Sequence, residues 1–246
     1  MILYTRPEFS PPMPCPYLPG KVLVYSTFHA DNLTPRELSQ LLSSGWRKFG
    51  HSFFRPACPG CRACVSLRIP VERFRPSRSQ RRVLKRCSGI RTTFGPLRYE
   101  SALFDLYQSH SQVRFGQEHS FEDFAASLHS PSCPTLLSRY ELDGRLVGAG
   151  YLDLAYDGLS SVYFVYDPAV SHLSLGVFSV LREIAETASL GLPYYYLGYH
   201  VPGCDRMAYK ASFRPHQVLD WEDGSWREGE ASCPAGSPGT IPPLSG

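Results

Sequence analysis

The chain has 246 residues, 43% of them hydrophobic and 19% charged, with a formal net charge of +3 and eight cysteines. That length supports one large domain or two small ones around a sizeable core. No apolar run reaches membrane-spanning length and the N-terminus lacks a charged region followed by a long apolar one, so a cytoplasmic protein without membrane attachment is expected.

Residues 1–20 are rich in proline and read as irregular, with Cys15 inside Pro14-Cys15-Pro16. Residues 21–28 alternate as a strand does. Thr34-Pro35-Arg36-Glu37 is a capping box with proline in the first helical position, so a helix starts there and stops at Gly45. Residues 46–54 read as one strand, followed by Cys58, Cys61 and Cys64 and a further strand over 65–71. Ser77 caps a short basic helix. These elements form a smaller N-terminal lobe, residues 1–90.

Helices are expected over 98–111 and 120–128, with Ser120 as the second cap. Three strands follow, 135–142, 145–156 and 159–166, turned by Asp143-Gly144 and Asp157-Gly158. Asp167-Pro168 ends the third. A polar loop over 171–176 leads into a helix over 177–190, with Gly191 in the C′ position and Pro193 beyond it. An apolar strand over 194–199 comes next. Strand, loop, helix and strand make a crossover unit with parallel, interior strands. Its loop sets Gly176 and free backbone N–H groups at a helix N-terminus, a site suited to phosphate. A short helix over 207–213 and a strand over 217–221 close this second region, residues 91–228. The Gly-, Pro- and Ser-rich tail, 229–246, reads as disordered.

Charge is lopsided. Eleven of the 25 Lys and Arg residues lie between Arg62 and Arg98, where Glu72 is the single acid. A solvated helix face normally mixes both signs, so this excess points to a polyanionic partner.

The order of elements gives an α+β fold that resembles the GNAT acyltransferase core, carrying the smaller Cys-containing lobe at its N-terminus. The residues narrow this. Cys58-Pro59-Gly60-Cys61-Arg62-Ala63-Cys64, Pro76-Ser77-Arg78-Ser79-Gln80-Arg81-Arg82, Asp157-Gly158-Leu159-Ser160-Ser161-Val162-Tyr163, Ser174-Leu175-Gly176, Tyr196-Leu197-Gly198-Tyr199 and Tyr209-Lys210-Ala211 occur in that order. Together they resemble the aminoacyl-tRNA–protein transferase family, the eukaryotic arginyltransferases and their bacterial leucyltransferase relatives. The likeness covers about residues 15–222, and the chain's compact length is similar to the bacterial branch. It implies transfer of leucine, or less readily arginine, from charged tRNA to the N-terminal amine of proteins beginning with Asp or Glu. The product then carries a destabilising N-terminus. Three departures stand out: His172-Leu173 before Ser174-Leu175-Gly176 where the family has Arg, His200 after Tyr199 where it has Trp, and no Gly-rich segment around 109–119.

The chemistry requires little from side chains. The ester is already activated, so the amine, with a free pKa of about 7.7–8.0, must lose a proton and the ester oxygens need donors. Lys210, Tyr209, Tyr199 and His200 are the catalytic candidates. Lys210 and Arg78, then Arg55 and Arg81, are the candidates for the acceptor's carboxylate. Ser174, Leu175 and Gly176, with Arg82 and Lys85, are expected to meet tRNA phosphates. No cofactor is required for catalysis. Cys15, Cys58, Cys61 and Cys64 supply four thiols, the number that zinc or an Fe–S cluster takes, with buried or redox-sensitive free thiols as the alternative. A monomer is expected. Two other classes stay open: an acyl-CoA-dependent N-acyltransferase, whose loop pattern residues 173–178 fit poorly, and a zinc-dependent RNA-binding module over 55–98.

Overall fold

The structure is a computed structural model that describes residues 1–229. The expected disordered tail therefore lies outside the described residues, save Gly229. The described chain is a mixed α/β fold built on a five-stranded and an eight-stranded sheet, with a separate two-stranded pair near the N-terminus.

The N-terminal sheet is small. Two-residue strands β1 (Ile2–Leu3), β2 (Glu8–Phe9), β3 (Met13–Pro14) and β4 (Val22–Leu23) break the irregular proline-rich start, and β5 (Tyr25–Asp31) is the first long strand. Helix α1 (Pro35–Ser43) forms where its capping box places it: the Thr34 hydroxyl accepts from Glu37 N and Glu37 Oε2 accepts from Thr34 N at 2.8 Å. Leu38 and Leu42 bury against Phe28, Trp46 and Phe53, each contributing ~1.5–3 kcal/mol of apolar burial. The single strand expected over 46–54 is instead a hairpin, β6 (Arg47–Phe49) and β7 (Ser52–Pro56). Gly50 breaks it: its φ is +53°, and a Cβ there would lie 2.1 Å from the Ala126 carbonyl oxygen.

The eight-stranded sheet carries the rest. Strand β8 (Val65–Pro70) leaves the Cys-containing segment and pairs antiparallel with a strand from near residue 197. Strand pairing therefore crosses the expected boundary at residue 90. Helix α2 (Arg78–Arg86) follows, with Ser77 and Gln80 completing a capping box. Strand β9 (Arg91–Pro96), for which the sequence reading assigned no element, pairs antiparallel with β10 and adds a fourth strand beside the expected three-strand meander. Helices α3 (Ser101–Phe115) and α4 (Phe121–Leu128) cover one face. Strands β10 (Thr135–Leu142), β11 (Arg145–Ala155) and β12 (Gly158–Tyr166) complete the meander. The second hairpin turns one residue early, at Tyr156-Asp157. Gly158 is already in the strand because a Cβ there would meet the Tyr194 carbonyl oxygen at 2.2 Å.

The crossover is as expected in type. A 3-10 segment (Pro168–Leu173) leads to α5 (Leu175–Ser189), then β13 (Tyr194–His200). Val180, Leu181 and Ile184 of α5 bury against Leu67, Ile69, Leu152, Leu159, Tyr195 and Leu197 of the sheet. Strands β12 and β13 pair in parallel only through Gly158↔Tyr194, Leu159↔Tyr195 and Ser160↔Tyr196. Beyond Ser160 they separate. The helix expected over 207–213 is α6 (Asp205–Ala208) followed by a 3-10 turn (Tyr209–Ser212), and β14 (Gln217–Leu219) pairs with β15 (Trp226–Glu228) at the sheet edge.

Candidate active site

A cavity of about 540 Å³ opens where β12 and β13 part. Its walls come from β6 and β7, the exposed end of β12, the first turn of α5, β13 and the 3-10 turn after α6. Three expected groups meet here: Lys210, Tyr209, and the Ser174-Leu175-Gly176 turn all line the same cavity.

Lys210 is half-buried. Its ammonium donates to the carbonyl oxygens of Leu197 at 3.1 Å and Tyr199 at 3.0 Å, on the strand that has left its partner. Burial, aided by the nearby Arg47 guanidinium, pushes its pKa down to about 7. Tyr209 is 42% exposed and its phenol, pushed up to about 12 chiefly by desolvation, remains a neutral donor. Ser174 takes the left-handed conformation (φ 61°) and makes no side-chain cap bond, leaving the first N–H groups of α5 without one. Arg86 of α2 reaches this loop, donating to His172 O at 2.9 Å and Ser174 Oγ at 3.4 Å.

Other candidates land elsewhere. The Tyr199 ring lines the cavity, but its hydroxyl donates to Gly45 O at 2.6 Å, which ties β13 to the N-terminal sheet and leaves no proton for substrate. His200 is not among the cavity's lining residues; it is buried, with Nδ1 3.3 Å from Met207 O, and desolvation lowers its pKa. Arg55 stacks over Trp46, 4.9 Å from the ring centre, outside the cavity. Arg78, Arg81, Arg82 and Lys85 lie exposed on α2, and Gln80 Nε2 bonds Ser212 O at 3.3 Å to hold that helix against the turn bearing Lys210.

The basic stretch divides. Arg68 is sandwiched between Tyr194 and Trp226, 3.7 and 4.3 Å from their ring centres, and Arg73 and Arg91 pair with Glu228 and Glu141. Those three serve the fold.

The cysteines gather more closely than spacing suggested. Desolvation first, then Cys15, Cys58, Cys61 and Cys204, push the Cys64 thiol up to about 12. Cys204 is a fifth thiol that sequence spacing did not single out. Among the described residues, however, no three His, Cys, Asp or Glu side chains are arranged to hold a metal ion, and Cys58 Sγ accepts from Val24 N at 3.4 Å. The thiols as they stand among the described residues do not form a closed tetrahedral set.

Sequence reasoning missed Arg47 and Lys48. Both are 7% exposed and line the cavity. Lys48 pairs with Asp153 at 3.2 Å. Arg47 Nη1 donates to Ser160 Oγ at 2.9 Å, while its Nε and Nη2 are buried without partners. The available signal was two adjacent cations inside an aromatic run, Trp46 to Phe54.

Comparison with known proteins places this geometry. Residues 13–82 match the N-terminal family model of arginine-tRNA-protein transferase, and residues 100–220 match the C-terminal one. The chain belongs to the arginine-tRNA–protein transferase family. It is therefore an aminoacyltransferase. Similar family members include the aspartate/glutamate leucyltransferase of Alkalilimnicola ehrlichii, 40% identical over 86% of this chain and 90% of that one. The enzymes of that name from Chromobacterium violaceum (35% identical, 88% and 90% covered) and Parvibaculum lavamentivorans (37%, 92% and 96%) are similar too. Among solved structures, L-PGS from Bacillus licheniformis aligns at a TM-score of 0.42 and 12% identity, over 71% of this chain and 52% of its own.

Proposed function

We propose that this transferase moves leucine from leucyl-tRNA to the N-terminal α-amine of proteins beginning with Asp or Glu, giving them a destabilising N-terminus. The observation that carries the reading is that one cavity is lined by both the α5 first turn and Lys210. The turn receives phosphate of the tRNA 3′ end, and the parting of β12 and β13, as in a GNAT-like acyltransferase, admits the aminoacyl ester.

Leucine is favoured over arginine by charge. Asp153 is the single carboxylate among the described residues lining the cavity, and Lys48 already neutralises it. A donated guanidinium would find no free anion. A leucyl side chain would meet Leu38, Leu42, Trp46, Phe53 and Val180.

A neutral Lys210 has two N–H bonds and one lone pair. Both N–H groups are used by Leu197 O and Tyr199 O, which leaves the lone pair for the acceptor's α-ammonium. Lys210 takes that proton, the amine nitrogen attacks the ester carbonyl carbon, and the bond from that carbon to the ribose oxygen breaks as the amide forms. Tyr209 gives its phenolic proton to the departing ribose oxygen and regains one from the attacking nitrogen, which sheds its second proton as the amide forms.

Whether the N-terminal thiols bind zinc or an Fe–S cluster is read directly by metal analysis of the purified protein. The function is tested by incubating the protein with leucyl- or arginyl-tRNA and peptides beginning Asp, Glu or Ala. Leucine should add to the first two alone. Inertness of all three peptides removes the reading, and arginine addition corrects the donor.

A further inference from the structure

We propose that Arg47 receives the acceptor's side-chain carboxylate beside Gly198. This deepens the transferase reading and rests on it.

The guanidinium is in an unusual state for a buried cation. It is 7% exposed, one nitrogen bonds the neutral Ser160 hydroxyl, its other two nitrogens have no hydrogen-bond partner, and the Tyr196 ring 5.9 Å away is its one cation–π contact among the described residues. Asp153, a carboxylate that acts on it electrostatically, is held by Lys48. A buried charge without a counter-ion is destabilising, so the fold holds an unmet demand for an anion at this point. Lys210 stands beside it: a Cβ placed on Gly198 would lie 3.2 Å from Lys210 Nζ and 3.8 Å from Arg47 Nη2. Both nitrogens therefore stand on the same side of Gly198, so an anion bonded to Arg47 lies next to Lys210. Gly198 has φ +95°, a conformation that side-chain-bearing residues rarely adopt, so the backbone keeps from this position a side chain that would crowd Lys210.

The position selects a carboxylate rather than a phosphate. Ser160, which holds Arg47, is the last β12 residue paired with β13, and Gly198 lies just past that pairing. The site thus sits in the crevice between the parted strands, whereas the α5 turn and the exposed cations of α2 serve phosphates at the surface. The carboxylate of an N-terminal Asp or Glu is joined to the α-carbon by only one or two methylene groups. Holding it at Arg47 brings the α-ammonium to Lys210. It also offsets the guanidinium charge that disfavours protonated Lys210, so Lys210 becomes a better proton acceptor only when an acidic residue is bound. Acceptor identity is then read in kcat as well as in KM.

The experiment compares wild-type protein with R47Q and R47K, using peptides that begin Asp, Glu, Asn or Gln and saturating leucyl-tRNA. R47Q is expected to lose about 100-fold or more in kcat/KM for the acidic peptides, down to the level of their amide counterparts, with leucyl-tRNA affinity unchanged. A folded R47Q that keeps the Asp-over-Asn preference overturns the assignment. Equal loss for all four peptides together with weakened tRNA binding assigns Arg47 to phosphate instead, and also overturns it. Should R47Q not fold, R47K carries the same test, because it keeps the buried charge but not the forked donor; an undiminished preference there overturns the assignment too. Wild-type inertness towards every peptide is a different failure, that of the transferase reading itself.

Discussion

At the scale of single residues, the site depends on two cations left without an acid. Lys210 sits near 7 because burial and then Arg47 disfavour its charged form. A base must be free of its proton before it can take one, so transfer should rise with pH as Lys210 deprotonates. We expect an acid limb centred near 7 in kcat/KM, which reports the free enzyme, measured from about pH 6 to about pH 8.5, and its loss in Lys210→Gln along with roughly 100-fold in kcat. A limb that survives the substitution would put the base elsewhere. Lys210 and Tyr209 were legible because they stand inside a motif. Arg47 was not, because nothing in sequence shows which cations will lack a counter-ion once folded. The role of Tyr199 was hidden for a related reason: its hydroxyl is spent on Gly45 O, 154 residues away in the chain.

At the scale of elements, α5 couples the site to the core through a polar cluster on an otherwise apolar face. Glu183 is 1% exposed, donating hydroxyls from Tyr195 and Ser138 surround it, and burial raises its pKa to about 7. A raised carboxyl binds more protons folded than unfolded. Its contribution is therefore complete below 4.5 and is lost as pH rises through 7. Glu183→Gln should match the wild type in acid and melt higher above pH 7, by roughly 2–4 °C for each kcal/mol relieved. Thermal melts at several pH values check this; a flat difference would mean the carboxyl does not titrate. For α2, Ser77→Ala removes a capping bond and should cost ~1 kcal/mol, read as a shifted denaturant midpoint. The helices with capping boxes were the elements legible to within a residue or two, since their start signals are local. The 47–56 hairpin and β9 were not, because Gly50 turns to avoid Ala126 and β9 exists only as a partner for β10.

At the scale of the molecule, the basic stretch splits into cations that hold the fold and cations that face outward. Replacing Arg82 and Lys85 by Gln should weaken leucyl-tRNA binding for every acceptor alike. The dependence of log affinity on log salt should flatten by roughly one for each phosphate that the variant no longer neutralises. Binding curves at several salt concentrations measure both, and an unchanged slope would remove α2 from the tRNA path.

The family, the reaction class, the capped helices and the strand–loop–helix–strand crossover were determined by the sequence alone, because caps, turns and motifs are short-range patterns carried by neighbouring residues. The tertiary structure alone decided that β8 crosses into the main sheet, that β12 and β13 part after Ser160, and that Arg47 lies beside Lys210 while Lys48 consumes Asp153. Those depend on which distant segments share a buried space, and burial is what sets the charge state and free valence of each group there.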